Sequence, residues 1–199
     1  MKKSKRLFDF MLSLLGLFIT IPIFLVVSLL IKLEDNGPIF YKQKRVGYKG
    51  KEFHIWKFRT MVVNADSLGR LITVGKDPRI TKVGFWLRKF RIDEIPQLIN
   101  VLKGEMSLVG PRPEVPKYLK FYDEEMRRIL EYVPGMTDPT SLNFLDESEV
   151  LAKAEDPEEK YIKEILPLKV KQSLKYLERS NLWTDFLVIL KTIFNLIKI

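Results

Sequence analysis

The chain contains no cysteine and a single histidine, His54. The first absence excludes disulfides and thiolate metal sites and suits a reducing compartment. The second leaves no histidine cluster for zinc, and His54, alone in a strand-like run, reads as structural. Neither G-x-x-x-x-G-K-[ST] nor G-x-G-x-x-G occurs, so a bound nucleotide would be held by something other than a P-loop or a Rossmann turn. There is no internal repeat and no low-complexity segment. Negative charge is the scarcer sign: Lys+Arg 34 against Asp+Glu 25 gives a net charge of +9. That excess implies a polyanionic partner, whether nucleic acid, anionic lipid or a phosphorylated substrate.

What is present begins with an apolar run. At 199 residues and 46% hydrophobic, the chain fits one domain with appendages and can bury a core. No charge occurs from Phe10 to Ile31, about 22 residues, close to the length that crosses a bilayer. Lys2, Lys3, Lys5 and Arg6 precede it, as in a signal peptide. No small-x-small cleavage site follows, and the run ends in Ile31-Lys32-Leu33-Glu34-Asp35, so a retained membrane segment is expected. Pro22 near its middle removes a backbone donor and clashes with the preceding turn. Two topologies follow: a kinked spanning helix, or a helix that breaks at Ile21-Pro22 and turns back. Lys42, Lys44, Arg45, Lys49, Lys51, Lys57 and Arg59 closely follow the segment, and basic residues on both flanks favour both ends being cytoplasmic.

Asn36-Gly37-Pro38 is a turn signal. Pro38–Gln43 and Glu52–Phe58, rich in aromatics, flank the glycine-containing stretch 45–50 and predict a β-hairpin. Residues 80–90 predict an amphipathic helix with Val83, Trp86, Leu87 and Phe90 on one face and Arg88 and Lys89 beside it. Pro96 fits the first turn of the next helix and Gly104 stops it. Met106–Val109 reads as a short extended piece, and Pro116–Tyr132 as one charged amphipathic helix. The acidic stretch 146–164 (Asp146, Glu147, Glu149, Glu155, Asp156, Glu158, Glu159) reads as a solvated helical surface. The tail, Leu182–Ile199, places Trp183, Phe186, Leu187, Leu190, Ile193, Phe194 and Ile197 on one broad face. That face suits a core helix or a helix lying on a membrane.

Three features carry chemistry. Asp93-Glu94 opens a short apolar helix. A helix N-terminus stabilises a carboxylate by about 0.3–1 kcal/mol, which keeps it ionised as a nucleophile or metal ligand requires. Alone, such a pair is also a plain cap. Bound Mg²⁺ would relieve the repulsion of adjacent carboxylates, and both are hard oxygen ligands. Gly110-Pro111-Arg112-Pro113 is stiffened by its prolines and offers a guanidinium fork for phosphate oxygens; alone it is a turn with a solvent-facing Arg. The basic-aromatic stretches around Lys44-Arg45 and Lys57-Phe58-Arg59 suit a phosphate or nucleotide site or attraction to anionic lipid.

Lys5-Arg6-x-x-Asp9 before the proline-interrupted run, Lys57-Phe58-Arg59-Thr60-Met61, Ile92-Asp93-Glu94-Ile95-Pro96-Gln97-Leu98 through Asn100-Val101-Leu102-Lys103-Gly104, and Gly110-Pro111-Arg112-Pro113 together resemble the bacterial sugar transferases, the small monotopic phosphoglycosyl transferases. The resemblance covers nearly the whole chain. It implies an α+β, mainly helical fold: a compact domain with a small β-hairpin, an N-terminal re-entrant helix broken by proline, and interfacial amphipathic helices. Residues 1–34 would be the anchor, and 35–199 the catalytic domain with a C-terminal interfacial helix. The implied reaction moves a sugar 1-phosphate from a UDP-sugar to polyprenyl (undecaprenyl) phosphate, releases UMP, and begins a glycan at the cytoplasmic face of the bacterial inner membrane. Asp93 would match the nucleophile that forms a phosphosugar-aspartyl intermediate, and Glu94 its neighbour for Mg²⁺ or the acceptor's proton. Arg112, between Pro111 and Pro113, would bind phosphate, with Arg45, Lys57, Arg59 and Arg88 as further binding residues. Membrane lipid is an implied partner, a homodimer is compatible, and nucleic acid is not expected. After Pro134-Gly135 the chain reads Met136-Thr137-Asp138-Pro139-Thr140-Ser141-Leu142 where many relatives read Ile-Thr-Gly, which leaves the sugar open. The rival is a membrane-tethered anionic-ligand or nucleic-acid-binding module without catalysis; it gives no reason for an Asp-Glu pair beside a rigid arginine loop.

Overall fold

The structure, a computed structural model, describes residues 2–68, 72–75, 77–140 and 147–197, with the backbone only at 66, 196 and 197. Ser141, Leu142, Asp146 and the Ile197 side chain, all named above, lie outside what is described.

Helix α1, Lys3–Asp35, is continuous, so the break expected at Ile21-Pro22 is not an interruption of the helix. At 1.5 Å per residue its 33 residues would span about 50 Å. It is long and apolar enough to cross a membrane. Its two ends nevertheless dock on the same body. At the N-terminal end, Arg6 donates to Val101 O at 2.5 Å and Leu102 O at 2.6 Å, Asp9 accepts from Ser107 Oγ at 2.8 Å, and Lys5 reaches Asp185 Oδ2 at 2.6 Å. At the other end, Val27 and Ile31 pack with Phe58 and Leu87, and Asp35 is forked by Arg59. Between these docks Phe18, Ile19, Ile21, Pro22 and Ile23 are exposed.

Strands β1, Phe40–Val46, and β2, Glu52–Phe58, form the expected hairpin, with β1 running three residues further than the aromatic pattern suggested. Alternation along β2 sends Phe58 into the α1 cluster and Lys57 to the opposite side. Helix α2, Lys82–Lys89, is capped by Thr81, whose hydroxyl accepts from Gly84 N at 2.9 Å. Leu87 turns inward from it, whereas Trp86 and Phe90 of the same predicted face, with Phe85, lie exposed. A 3₁₀ turn, Ile92–Gln97, runs into α3, Leu98–Lys103, and Gly104 ends it at φ 82°.

Strand β3, Ser107–Val109, pairs in parallel with β4, Gly135–Thr137. This pairing was not expected, because its partners are separated by a long crossover. Most of the largest core cluster lies in that crossover and the C-terminal third, around Tyr118, Tyr122, Met126, Tyr161 and Leu166. Pro116–Tyr132 is not one helix. It is a 3₁₀ turn (Pro116–Phe121), helix α4 (Glu124–Arg127) and a second 3₁₀ turn (Arg128–Glu131). Tyr122 is extended, and the Asp123 carboxylate accepts from Met126 N at 2.7 Å to start a new helix, which breaks the longer one. The acidic stretch forms α5, Glu147–Ala152, and α6, Pro157–Lys160. A π-helical turn, Tyr161–Ile165, joins α6 to α7, Leu166–Leu177, and α8 is Leu182–Ile197. On α8 the buried residues are Asp185 and Val188. The face of Trp183, Leu187, Leu190, Ile193 and Phe194 is exposed, so it is not a core face.

Candidate active site

Three segments converge on the Asp93-Glu94 pair: the 3₁₀ turn that carries it, strand β2 and the loop after β3. The turn starts from Arg91, held in the left-handed region at φ 53°. Lys57 Nζ lies 2.8 Å from Glu94 Oε1 and 4.0 Å from Asp93 Oδ2. Arg112 Nη2 donates to the same Glu94 Oε1 at 2.6 Å, and its Nη1 stands 3.5 Å from Oε2. Glu94 is therefore bonded by two cations. To the Asp93 carboxylate no hydrogen bond is made among the described residues, and its nearest cation is Lys57.

Burial differentiates the pair further. It pushes the Asp93 carboxyl up to about 6; Lys57 pulls against the rise, and the Glu94 charge adds to it. Burial would raise Glu94 too, but Arg112 and then Lys57 outweigh it and hold that carboxyl well below the usual range. The Glu94 charge in turn raises Arg112, while burial lowers Lys57. Asp93 is thus ionised at neutral pH, against its burial, without a bonded partner. Such a carboxylate keeps its oxygens for an electrophile or a metal ion.

The loop that delivers Arg112 is held by close backbone packing. Gly135 N donates to Pro111 O at 2.9 Å, and Gly110 N to Thr137 O at 3.0 Å. A Cβ on Gly135 would come within 2.1 Å of Gly110 N, so this approach requires glycine. Arg88 reaches toward the site from α2. Its Nε donates to Thr60 Oγ1 at 2.9 Å and its Nη1 to Thr73 Oγ1 at 3.0 Å, and the Asp93 charge acts on it.

Of the residues singled out from the sequence, Asp93, Glu94, Lys57 and Arg112 come together, with Arg88 at their edge. Pro111 and Pro113 shape the loop. Arg45 points to the loop's far end, where Nη1 donates to Pro113 O at 3.1 Å. Arg59 serves the anchor: it bonds Asp35, Pro38 O at 2.6 Å and Met61 O at 3.0 Å. His54 is exposed on β2. Asp138 is buried and accepts from Ser173 Oγ at 3.0 Å. Sequence reasoning missed Thr60 and Thr73 as supports of Arg88. It also missed Asn100, whose amide joins α3 to β2 through Trp56 N at 3.0 Å and His54 O at 2.7 Å. The Lys5-Arg6-x-x-Asp9 motif proves to be the anchor's clasp on the site: Arg6 binds the last carbonyls of α3, and Asp9 binds β3, which leads to Arg112.

Among the described residues no group of three or more His, Asp or Glu side chains could enclose a metal ion. Asp93, and Glu94 Oε2 beside its 3.5 Å contact with Arg112 Nη1, are the oxygen donors at hand, which suits Mg²⁺ only if water and a bound diphosphate complete its shell.

The family model described as bacterial sugar transferase matches residues 1–199. The chain is similar to the exopolysaccharide production protein ExoY of Sinorhizobium fredii, 42% identical over 67% of this chain and 66% of that protein. It is 36% identical, over 95% of its length, to the UDP-N-acetylgalactosamine-undecaprenyl-phosphate N-acetylgalactosaminephosphotransferase of Aeromonas hydrophila. It is 34% identical, over 96% of its length, to the UDP-glucose:undecaprenyl-phosphate glucose-1-phosphate transferase of Escherichia coli. The chain spans 42% of the Aeromonas protein and 39% of the Escherichia coli one. The chain belongs to the bacterial sugar transferase family.

Proposed function

We propose that the chain transfers a sugar 1-phosphate from a UDP-sugar to polyprenyl phosphate in two displacements. The observation that carries this reading is the division of the dyad: Glu94 is occupied by Lys57 and Arg112, while Asp93 is buried and accepts no hydrogen bond among the described residues. An Asp93 oxygen attacks the phosphorus that bears the sugar. The bridging P–O bond breaks, and UMP leaves with the bridging oxygen. An oxygen of polyprenyl phosphate then attacks the same phosphorus, the aspartyl P–O bond breaks, and Asp93 is restored as a carboxylate. One anhydride is exchanged for another, and the sugar C1–O bond stays intact.

A covalent step lets a soluble donor and a membrane-bound acceptor use one site in turn. Positioning and charge neutralisation supply most of the catalysis of phosphoryl transfer. Arg112, the most exposed member of the set at 32%, faces the incoming donor with its guanidinium, and Lys57 offsets charge beside Asp93. Mg²⁺, held by Asp93 and Glu94, would stabilise the departing phosphate charge.

The same reading places the site at a bilayer surface. Both ends of α1 dock on one body while Phe18, Ile19, Ile21, Pro22 and Ile23 are exposed between them; a bend at Pro22 that keeps the helix continuous would let it dip into one leaflet and return rather than cross. The exposed aromatic faces of α2 and α8 would rest in the headgroup layer, where Trp is favoured. Basic flanks put the domain on the cytoplasmic side. The test is a panel of UDP-sugars with undecaprenyl phosphate and Mg²⁺. Release of UMP together with a lipid-linked sugar diphosphate supports the reading, and no UMP from any donor overturns it.

A further inference from the structure

Arg45, Glu114 and Tyr161 form a largely buried polar cluster at the Pro113 end of the Arg112 loop. The Arg45 guanidinium is engaged on three sides. Nε and Nη2 donate to Gln43 Oε1 at 3.2 and 2.6 Å, Nη1 donates to Pro113 O at 3.1 Å, and Glu114 Oε1 stands 3.8 Å away. Glu114 is held just as fully. Its carbonyl accepts from Val46 N at 2.8 Å, Oε1 from Val115 N at 2.7 Å, and Oε2 from the Tyr161 hydroxyl at 2.7 Å. Tyr161 begins the π-helical turn, and its ring packs on Tyr118 with centroids 5.0 Å apart.

Pro111 O, just before Arg112, is bonded by Gly135 N, and Pro113 O, just after it, is bonded by Arg45. The peptide group before Arg112 and the one after Pro113 are therefore both held, the first by β4 and the second by Arg45 of β1. For Arg45 to reach a substrate phosphate it would have to release Pro113 O and Gln43 and leave Glu114 buried beside an empty space, at a desolvation cost. We infer that Arg45, Glu114 and Tyr161 are positioning residues that aim the Arg112 guanidinium, and that Arg45 is not itself a phosphate ligand. This rests on the transferase reading above and adds to it the parts that hold the arginine in place. It also gives the π-turn a task, since such turns often mark functional sites.

The experiment uses the full chain in detergent, with UDP-N-acetylgalactosamine and UDP-glucose as donor probes and undecaprenyl phosphate as acceptor. Tyr161→Phe, Glu114→Gln and Arg45→Lys are each made alone and combined with Arg112→Lys. Residues that act through Arg112 couple to it, so their effects do not add. Each single variant is expected to lower kcat/KM by roughly 5- to 50-fold, and by less than about 2-fold when Arg112 is already Lys. Losses that multiply in full in the Arg112→Lys background would overturn the proposal, as would a Tyr161→Phe enzyme with unchanged kcat/KM. Amide hydrogen exchange gives a readout independent of turnover. In Tyr161→Phe the Val46 and Val115 amides should exchange at least about 10-fold faster while those of α3 do not. Unchanged exchange at both amides overturns the clamp. A parent enzyme that releases no UMP from these or any other donor of the UDP-sugar panel defeats the transferase reading instead, and the exchange result still decides the clamp.

Discussion

Arg112 Nη2 donates to Glu94 Oε1 at 2.6 Å, a bond that ties the proline-flanked loop to the turn carrying Asp93 and Glu94 across 18 residues of sequence. Lys57 reaches the same oxygen at 2.8 Å, so one carboxylate organises two cations. Asp93, beside it, accepts no hydrogen bond among the described residues and stands 4.0 Å from Lys57 Nζ. The predictions below follow from that asymmetry and from the double docking of α1.

Arg112→Lys keeps the charge but loses the planar fork that meets both Glu94 oxygens. Charge-assisted hydrogen bonds contribute about 1.5–3 kcal/mol each, so kcat/KM for UMP release should fall by at least about 10-fold, and further in Arg112→Ala. Wild-type kcat/KM in Arg112→Lys would show that positive charge alone suffices there.

The two adjacent carboxylates should affect stability with opposite signs. Asp93 binds its proton more tightly when folded, so its contribution falls as pH rises from the unfolded value near 3.8 toward about 6, and the cost is complete above that. Asp93→Asn removes the cost. In Mg²⁺-free buffer at pH 7.5 it should raise the thermal midpoint by about 2–4 °C per kcal/mol relieved, a gain that shrinks toward pH 4. Glu94 behaves conversely. Its lowered value contributes stability above the ordinary 4.5, lost as pH falls toward the folded value. Glu94→Gln leaves Lys57 and the part-exposed Arg112 without their shared carboxylate and should be clearly destabilising. Unfolding curves in which both variants shift the same way would contradict this division.

Sequence alone disclosed the parts of the candidate site where they are contiguous. The dyad, the loop carrying Arg112 and the aromatic hairpin each announce themselves within a few residues. What it could not disclose is pairing at a distance. Lys57 was visible as a basic strand residue, but not that it lies against Glu94. Tyr161 and Glu114 meet across 47 positions, and the β3–β4 pair closes only after a long crossover. Pro116–Tyr132 misled for a different reason. Tyr118, Tyr122, Met126 and Ile129 keep helical spacing and are all buried, yet the extended backbone at Tyr122 and the Asp123 cap divide the segment. The same spacing can bury a face without a continuous helix. The outward aromatics of α2 and α8 were read from periodicity as one-faced, but periodicity does not say whether the face meets core or lipid.

Because both ends of α1 dock on the same body, residues 3 and 49 should lie on one side of the membrane. The chain has no native cysteine, so Lys3→Cys and Lys49→Cys report cleanly. An impermeant maleimide should label both in inverted vesicles and neither in intact cells. Labelling from opposite sides would refute the re-entrant anchor.

The most direct test of Asp93 as nucleophile is the mass of the protein after exposure to donor without acceptor. The full chain is incubated with Mg²⁺ and UDP-sugar, quenched, digested and examined by mass spectrometry. The peptide holding Asp93 should gain the mass of a sugar phosphate, with UMP released in a burst equal to the enzyme, and Asp93→Asn should show neither. Lipid product formed with no adduct on that peptide, and no UMP until acceptor is added, would contradict the covalent route and leave the dyad to direct transfer.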